Sequence, residues 1–165
     1  MIKTQNILFS YSNETNFRFP DISLEESEDL LILGASGVGK TTLLHLLSGL
    51  LPVKEGSIAI GTTELQKLSR KELDAFRGRE MGIVFQTPYF VNSLTVAENL
   101  AVRLYFPDKQ KNKARIEEIA SRLGISDQLN KKVTELSEGQ KQRVSIALAL
   151  VNEPKIIFAD EPTAS

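Results

Sequence analysis

Short apolar runs and turn-forming residues alternate over the first sixty positions of the chain. Residues 7–9 and 17–19 are apolar, and the polar segment 12–16 separates them, which predicts two antiparallel strands joined by a turn. The run 30–33, Leu-Leu-Ile-Leu, is uninterrupted and is followed by glycine, so it predicts a buried strand that ends at that glycine. Residues 56–61 predict a further short strand.

Helical patterns dominate the middle of the chain. Ser69 and Thr95 are each followed three residues later by glutamate, which is the capping-box signature of a helix start. Residues 111–123 place apolar side chains on one helical face. The apolar runs 82–86 and 156–159 predict two more strands, so the pattern indicates an α/β core interrupted by a helical insert.

Composition narrows the classes of function. A chain of 165 residues has the length of one domain, and its net charge of −1 gives no basic field, so nucleic acid is not expected as a partner. The chain has no cysteine, which excludes disulfides and thiolate metal sites. No apolar run approaches the roughly 18 residues that span a bilayer, so any membrane role must come through a partner.

Residues 34–41 carry the strongest chemical signal. They read Gly-Ala-Ser-Gly-Val-Gly-Lys-Thr, and a helical pattern begins near Lys40. A strand, a glycine loop and a helix in this order place backbone N–H groups around an anion at a helix N-terminus. Lys40 would reach the β- and γ-phosphates of a nucleotide, and the Thr41 hydroxyl would hold Mg²⁺. The alternative is a glycine-rich turn that merely precedes a helix.

Asp160 and Glu161 follow the last apolar run, at the carboxyl end of a predicted strand. Open parallel sheets bind ligands outside these ends. Asp160 could hold Mg²⁺ directly or through water, and Glu161 could act as general base on an attacking water. The alternative is an acidic pair that closes a strand at the surface.

The segment 136–140, Leu-Ser-Glu-Gly-Gln, allows two interpretations. Ser137 and Gln140 have the spacing of a capping box, so the segment could simply start a helix. It could also form a second anion site that offers the Ser137 hydroxyl and the Gly139 N–H to a phosphate. The spacing alone does not separate them.

In their order along the chain, these segments resemble the nucleotide-binding domain of ATP-binding cassette (ABC) transporters. Residues 34–41 resemble its Walker A loop, Gln86 its Q-loop, residues 136–140 its signature and residues 156–161 its Walker B segment. Residues 162–165 resemble the opening of its D-loop. In style the chain is similar to the lipoprotein-release, macrolide-exporter and cell-division branch.

The resemblance implies a P-loop NTPase core with a mostly parallel sheet, an N-terminal antiparallel β subdomain and a helical insert. Within a single incomplete domain, 1–165, it assigns 1–86 to the β subdomain and Walker A core. It assigns 87–135 to the helical insert and 136–165 to the signature helix and Walker B strand. The family continues with a further strand and a switch histidine, so we expect the C-terminal part of the fold to be missing.

The resemblance also implies roles for individual residues. Glu161, Gln86 and Lys40 would be catalytic, and Thr41, Gln86 and Asp160 would be ligands of Mg²⁺. ATP would be held by a stacking aromatic, Tyr11 with Phe9 as its nearest competitor, together with Gly34, Ala35, Ser36, Gly37, Val38, Gly39, Lys40, Thr41 and Thr42. A second nucleotide, held by a partner domain, would meet Ser137, Gly139 and Gln140.

Two kinds of partner follow from the resemblance. A second ABC domain, identical or not, would pair head to tail with this one and share its nucleotides. A transmembrane permease subunit would place the chain on the cytoplasmic face of the cell membrane. Tyr89, Phe90 and Leu94 fall where the family docks that subunit, although ordinary core of the helical insert is an equally good interpretation.

The chain departs from the family at two places. Glu138 replaces the usual signature glycine, so we expect its carboxylate to face solvent or a basic side chain such as Lys141 or Arg143. The chain also stops at Ser165, within the D-loop. We therefore expect residues 30–33 and 156–159 to lack a shared neighbouring strand and to expose apolar surface, and ATP to be bound with reduced or no turnover.

Three other functions remain open. A P-loop kinase or GTPase would lack a use for the signature segment, and no Asn-Lys-x-Asp base-reading motif is present. A non-transport ABC ATPase would usually need coiled coils or two cassettes in one chain. A non-catalytic remnant that docks a membrane partner is compatible with the short length.

Overall fold

The computed structural model describes residues 2–11, 16–105 and 113–162 of the chain. These residues belong to two units, Met1–Asp74 and Ala75–Ser165. Among the described helices, none combines the length and the hydrophobicity that crossing a bilayer requires.

An antiparallel sheet dominates the first unit. β1 pairs with β2, β3 and β4, and β4 also pairs with β5. The predicted pairing of residues 7–9 with 17–19 is confirmed, while most of the predicted turn 12–16 lies outside the described residues. The strands are β1 (Ile2–Ser10), β2 (Asn16–Arg18), β3 (Ser23–Leu24), β4 (Glu55–Ile60) and β5 (Thr63–Glu64).

A bulge in β1 decides which of its side chains reach the core. Ile2 is buried before the bulge and Ile7 after it, so the buried face changes from even to odd positions. Asn6 takes up the extra residue with φ 49°. Opposite it, Gly56 has φ 92°, and a Cβ there would lie 2.3 Å from the carbonyl oxygen of Gln5. The bulge therefore requires glycine at position 56.

The second unit combines helices with a short parallel sheet. Helix α1 (Lys40–Leu47) belongs to the first unit, and α2 (Arg70–Glu80) begins there and ends in the second. In the second unit, β6 and β7 pair in parallel, with Met81 opposite Ile156 and Val84 opposite Ala159. The elements after α2 are β6 (Met81–Val84), α3 (Val96–Tyr105), α4 (Lys113–Arg122), α5 (Glu138–Leu150) and β7 (Ile156–Ala159).

One hydrophobic core joins the helices of the second unit. The stripes of α3, α4 and α5 meet in it, as the helical spacing of their apolar residues predicts. Short 3₁₀ turns, at Ser126–Gln128 and Val133–Glu135, connect α4 to α5. The most deeply buried members of this core include Val96, Leu100, Leu104, Ala120, Ile125, Val133, Val144 and Ala147.

The predicted capping boxes start their helices. The Glu72 carboxylate accepts hydrogen bonds from the hydroxyl and the N–H of Ser69, which lower the pKa of Glu72. The Thr95 N–H and hydroxyl do the same for Glu98 and lower its pKa. In each case one side chain satisfies backbone groups that the first helical turn leaves without partners.

The prediction of a strand at residues 30–33 is wrong. None of the strands in the described residues pairs with this run, and its leucines at 31 and 33 are 79% and 82% exposed. An apolar run becomes a strand when a neighbour takes up its backbone hydrogen bonds, and no described strand does so here. The expected exposure of this run is therefore confirmed, and Ile157 of β7 is also exposed, at 52%.

Candidate functional site

The glycine-rich loop 34–41 belongs to the first unit and ends at the first residues of α1. Lys40 Nζ donates hydrogen bonds to the carbonyl oxygens of Gly34 at 2.8 Å and Ala35 at 3.0 Å. The helix begins at Lys40 as predicted, and Gly37 and Gly39 both have positive φ, at 84° and 99°. The loop therefore curls back on itself, and its own lysine joins its two ends.

The surface of this loop is open to solvent. Residues 34–38, which include Ser36 and Val38, are exposed, whereas Gly39 lies close against an aromatic ring. A Cβ on Gly39 would lie 2.9 Å from Cδ1 of Phe17, and the positive φ disfavours any side chain. Position 39 therefore requires glycine, and the ring of Phe17 supports the loop from one side.

An aromatic cluster lies beside the start of α1. The Tyr11 hydroxyl is 3.0 Å from Oγ1 of Thr42, and its ring meets Phe9 edge-on with centroids 4.8 Å apart. Phe9 is buried, whereas Tyr11 is 62% exposed. Of the two aromatics considered for stacking on adenine, Tyr11 is therefore the one whose ring a ligand can reach. Thr42 is buried, and its hydroxyl links this ring to the helix.

In the second unit, the ends of β6 and β7 bring three predicted site residues together. The Asp160 N–H donates to the carbonyl oxygen of Val84 at 2.9 Å, which extends the parallel ladder by one residue. Just beyond it, Gln86 Nε2 donates to Glu161 Oε2 at 3.0 Å. Glu161 has φ 45°, a left-handed conformation that is uncommon outside glycine.

Burial separates the two carboxylates. The side chain of Asp160 is buried, so it is held within the protein. The side chain of Glu161 is exposed, so it can contact solvent. No group of three or more acidic, histidine or cysteine side chains that could hold a metal occurs in the described parts of the chain. The oxygen donors proposed for Mg²⁺, on Thr41, Gln86 and Asp160, are hard ligands that suit this ion when phosphate and water complete its shell.

The segment 136–140 forms the capped start of α5. Ser137 Oγ accepts from the Gln140 N–H at 3.3 Å, and Gln140 Oε1 accepts from the Ser137 N–H at 3.0 Å. Gly139 is exposed, with open space where a Cβ would be. The capping-box interpretation is confirmed, and the role toward a partner's nucleotide stays a prediction.

The expectation for Glu138 is confirmed. Its side chain is 78% exposed and pairs with Lys141 Nζ at 2.7 Å. One turn further along, Gln142 Nε2 donates to the carbonyl oxygen of Pro162 at 2.8 Å, so α5 contacts the first residue of the predicted D-loop. The rest of that segment, 163–165, lies outside the described residues.

A cleft of 460 Å³ in the second unit lies beside the residues considered for docking. Tyr89 is 74% exposed at this cleft, which is compatible with a docking surface. Phe90 also lines the cleft but packs against the helical core, which is compatible with ordinary core of the insert. Leu94 is partly buried and does not line the cleft.

Sequence reasoning missed the α3 wall of this cleft. Asn99, Val102 and Arg103 form that wall. The signal was present, because Arg103 lies seven positions after the buried Val96 and so falls on the inward stripe of the helix. A charged side chain on the inward face of a helix is unusual, because the other residues on that face are apolar and buried.

Comparison with protein-family models gives one family for this chain. The model described as ABC transporter matches residues 18–164. The match includes the loop 34–41, Gln86, the segment 136–140 and the carboxylate pair.

Curated relatives support the same family. The chain is 40% identical to the bacitracin export ATP-binding protein BceA of Halalkalibacterium halodurans, over all of this chain and 68% of the relative. It is 43% identical to the lipoprotein-releasing system ATP-binding protein LolD of Aquifex aeolicus, over 87% of this chain and 65% of the relative. The chain thus spans about two thirds of the length of these two relatives.

Solved structures resemble this chain closely in fold. The dimeric structure of MJ0796, described as a bacterial ABC transporter cassette, superposes with a TM-score of 0.89 at 32% identity, covering 99% of this chain and 75% of that one. A second structure of MJ0796, described as a post-hydrolysis state bound to ADP and Pi, gives a TM-score of 0.90. The α/β class predicted from the sequence is confirmed.

Proposed function

Because the chain belongs to the ABC transporter family of ATPases, we propose that it binds ATP with Mg²⁺ and hydrolyses it to power transport. The observation that carries the hydrolytic part is the Gln86–Glu161 hydrogen bond, which joins residues 75 positions apart at the ends of two paired parallel strands.

ATP binding is assigned to the first unit. Ammonium and amide N–H groups at a helix start favour a polyphosphate, so Lys40 would exchange its two carbonyl partners for phosphate oxygens. Adenine would stack on the exposed ring of Tyr11. The residues that would contact the nucleotide are Tyr11, Gly34, Ala35, Ser36, Gly37, Val38, Gly39, Lys40, Thr41 and Thr42.

Hydrolysis is assigned to the residues that follow the carboxyl ends of β6 and β7 in the second unit. Glu161 would accept the proton of the water that attacks the γ-phosphorus, and Gln86 would orient this carboxylate and the water. Thr41, Gln86 and Asp160 would hold Mg²⁺ together with the phosphates, and the ion would neutralise charge that develops on the phosphate oxygens.

Two partners complete the proposal. A second ABC domain would pair head to tail, so that Ser137, Gly139 and Gln140 would meet its nucleotide; the dimeric form of the MJ0796 cassette supports such pairing. A membrane permease subunit would hold the chain at the cytoplasmic face of the cell membrane, as the transport names of BceA and LolD suggest.

We expect turnover by this chain to be low. The segment 30–33 that leads into the phosphate loop is exposed and lacks a strand partner in the described residues, so little holds the loop in the geometry of catalysis. Binding depends mainly on the loop itself and should persist.

The test separates ATP binding from chemistry. Lys40→Ala should weaken binding of a fluorescent ATP analogue by about 10- to 100-fold, because it removes charge-assisted hydrogen bonds to phosphate. Glu161→Gln should leave binding unchanged, lower single-turnover phosphate release by about 10²-fold or more, and increase ATP-driven dimerisation.

Two matched controls make the result specific. Lys67→Ala removes an exposed lysine of the first unit, and Glu153→Gln alters an exposed glutamate that shares a positive φ with Glu161. Neither should change binding or phosphate release. Full ATP binding by the Lys40→Ala variant would contradict the proposal.

A non-catalytic docking module is the second candidate, and the exposure of residues 30–33 favours it. Phosphate release that is the same in the wild-type chain and in Glu161→Gln would identify this case, since there would be no chemistry to lose.

A further inference from the structure

Glu161, the proposed general base, has a backbone conformation that glutamate rarely adopts. Its φ of 45° lies in the left-handed region, where the Cβ of any residue other than glycine is crowded. Such a conformation persists only where the surrounding structure holds it. The contacts on either side of Glu161 therefore decide where its carboxylate points.

Before Glu161, the chain is held by the parallel sheet. β7 pairs with β6 as far as Ala159, and the N–H of Asp160 then donates to the carbonyl oxygen of Val84 at 2.9 Å. A strand that is bonded in this way has a fixed register, so the point at which the chain enters Glu161 is set. The ladder ends there, and the direction of the chain after Glu161 needs a second support.

After Glu161, the chain is held by a side chain of α5. Gln142 Nε2 donates to the carbonyl oxygen of Pro162 at 2.8 Å, across 20 positions of sequence. Proline has no N–H, so its carbonyl is the backbone group through which a hydrogen bond can hold it, and its ring restricts its φ. The fixed carbonyl and the restricted ring together set the orientation of the peptide that joins Glu161 to Pro162.

α5 is suited to this task because it is anchored on both sides of Gln142. The capping box of Ser137 and Gln140 closes its first turn. Immediately beyond Gln142, Val144 and Ala147 are fully buried in the helical core. A donor on a helix that is held in this way has a defined position, which a donor on a loop would lack.

We propose that Gln142 is a positioning residue for the proposed hydrolysis. By holding the carbonyl oxygen of Pro162, it keeps Glu161 in its left-handed conformation. That conformation directs the carboxylate to its 3.0 Å hydrogen bond with Gln86. Gln142 acts through Glu161 and does not itself meet water or phosphate. The proposal rests on the proposed function, which makes Glu161 the general base, and adds the residue that orients it.

The side-chain amide of Gln86 reports on this orientation without any turnover. Gln142→Met removes the N–H donor and keeps the length of the side chain. We expect it to move the NMR signals of the Gln86 amide toward those of Glu161→Ala, in which the acceptor is absent. The amide of Asp160, which the ladder holds, should keep its hydrogen-exchange rate within about 2-fold. As a matched control, Gln128→Met, at a partly buried glutamine in the 3₁₀ turn after α4, should leave the Gln86 signals unchanged.

Phosphate release tests the consequence for catalysis. Gln142→Met should lower single-turnover phosphate release by about 10-fold, because a misdirected carboxylate slows proton transfer from the attacking water. Binding of the fluorescent ATP analogue should not change. In the Glu161→Gln background, Gln142→Met should cause no further loss, because both substitutions act on the same carboxylate. The bond between Gln142 and Pro162 is exposed, so the melting temperature should stay within about 2 °C of the wild-type value.

The outcomes distinguish this inference from the proposed function. Gln86 signals that stay in place in Gln142→Met overturn the inference and leave the proposed function intact. Signals that move without a change in phosphate release, or a loss that adds fully to that of Glu161→Gln, overturn the role of Gln142 in catalysis. Equal phosphate release by the wild-type chain and Glu161→Gln contradicts the proposed hydrolysis itself, and the Gln86 signals then still decide whether Gln142 orients Glu161.

Discussion

Residues 30–33 and 156–159 are two apolar runs of equal length, and each is followed directly by residues for which we propose a role in nucleotide chemistry. Both are predicted from the sequence as strands. The second run is β7, which pairs in register with β6. The first has no strand partner in the described residues, and its four side chains are between 39% and 82% exposed.

The difference shows that an apolar run needs a neighbour before it becomes a strand. β7 receives backbone hydrogen bonds along β6, and Phe158 is buried within the same unit with 7% of its surface exposed. The run 30–33 is as hydrophobic but lacks such a ladder. Strand preference measures how well side chains fit a paired sheet, so hydrophobicity alone could not separate the two runs.

The same difference reaches the functional residues that follow each run. Asp160 is fixed by its N–H bond to Val84, and therefore by the ladder. The loop 34–41 is instead held by its own contacts, chiefly those of Lys40 with the carbonyl oxygens of Gly34 and Ala35. The position of Asp160 therefore depends on the pairing of strands in its unit, whereas the conformation of the loop 34–41 depends on a local turn.

Truncation of one side chain in each run is the strongest test of this comparison. Phe158→Ala should lower the free energy of unfolding by about 3–5 kcal/mol, because it removes a buried aromatic ring and leaves a cavity. Leu33→Ala should change it by less than about 0.5 kcal/mol, because that side chain is already in solvent. Urea titrations followed by circular dichroism measure both, and similar losses for the two variants would contradict the comparison.

A glycine in β6 tests whether the neighbour maintains β7. A Cβ on Gly82 would lie 2.4 Å from the carbonyl oxygen of Ala149 in α5, so Gly82→Ala must displace the strand from the helix. We expect a loss of about 1–3 kcal/mol, together with faster hydrogen exchange at the Asp160 amide, which bonds to β6.

Gly78 provides the matched control for this substitution. It lies in α2, and the space around its missing Cβ is open, so Gly78→Ala should be neutral or stabilise the helix by up to about 1 kcal/mol. Destabilisation by Gly78→Ala as large as that by Gly82→Ala would show that any added methyl is harmful and that strand contact is not the cause.

Local signals in the sequence predicted local structure well. Ser69, Thr95 and Ser137 each start a helix because a side chain three residues later completes the cap, and all the atoms involved lie within one turn. The turn to α1 at Lys40 depends likewise on adjacent glycines. The family resemblance extended this range, since it named Gln86 and Glu161, which the structure brings into contact.

Features that depend on distant neighbours could not be predicted in this way. Whether residues 30–33 form a strand depends on which strands are present beside them. The cleft that Arg103 lines depends on the meeting of α3, α5 and the segment after β6, which no single stretch of sequence encodes. Only the position of Arg103 on an inward helical stripe gave a local sign of it.

Introducing charge into the exposed run 30–33 should have the smallest effect on stability, and it tests the comparison at the run that lacks a strand partner. Leu31→Lys with Leu33→Lys should change the free energy of unfolding by less than about 0.5 kcal/mol per site, since both side chains are about four-fifths exposed. The same pair should reduce self-association, because an unpaired apolar segment in solvent is a hazard for pairing between chains and lysine opposes it.

Sedimentation velocity over a range of protein concentrations measures this association, with Leu50→Lys as control because Leu50 is an exposed leucine of the same unit outside the run. We expect the double variant to remain monomeric at concentrations where the wild-type chain and the control associate. If the double variant instead lost several kcal/mol of stability, residues 30–33 would be buried in solution, and the two apolar runs would not differ as the structure has them.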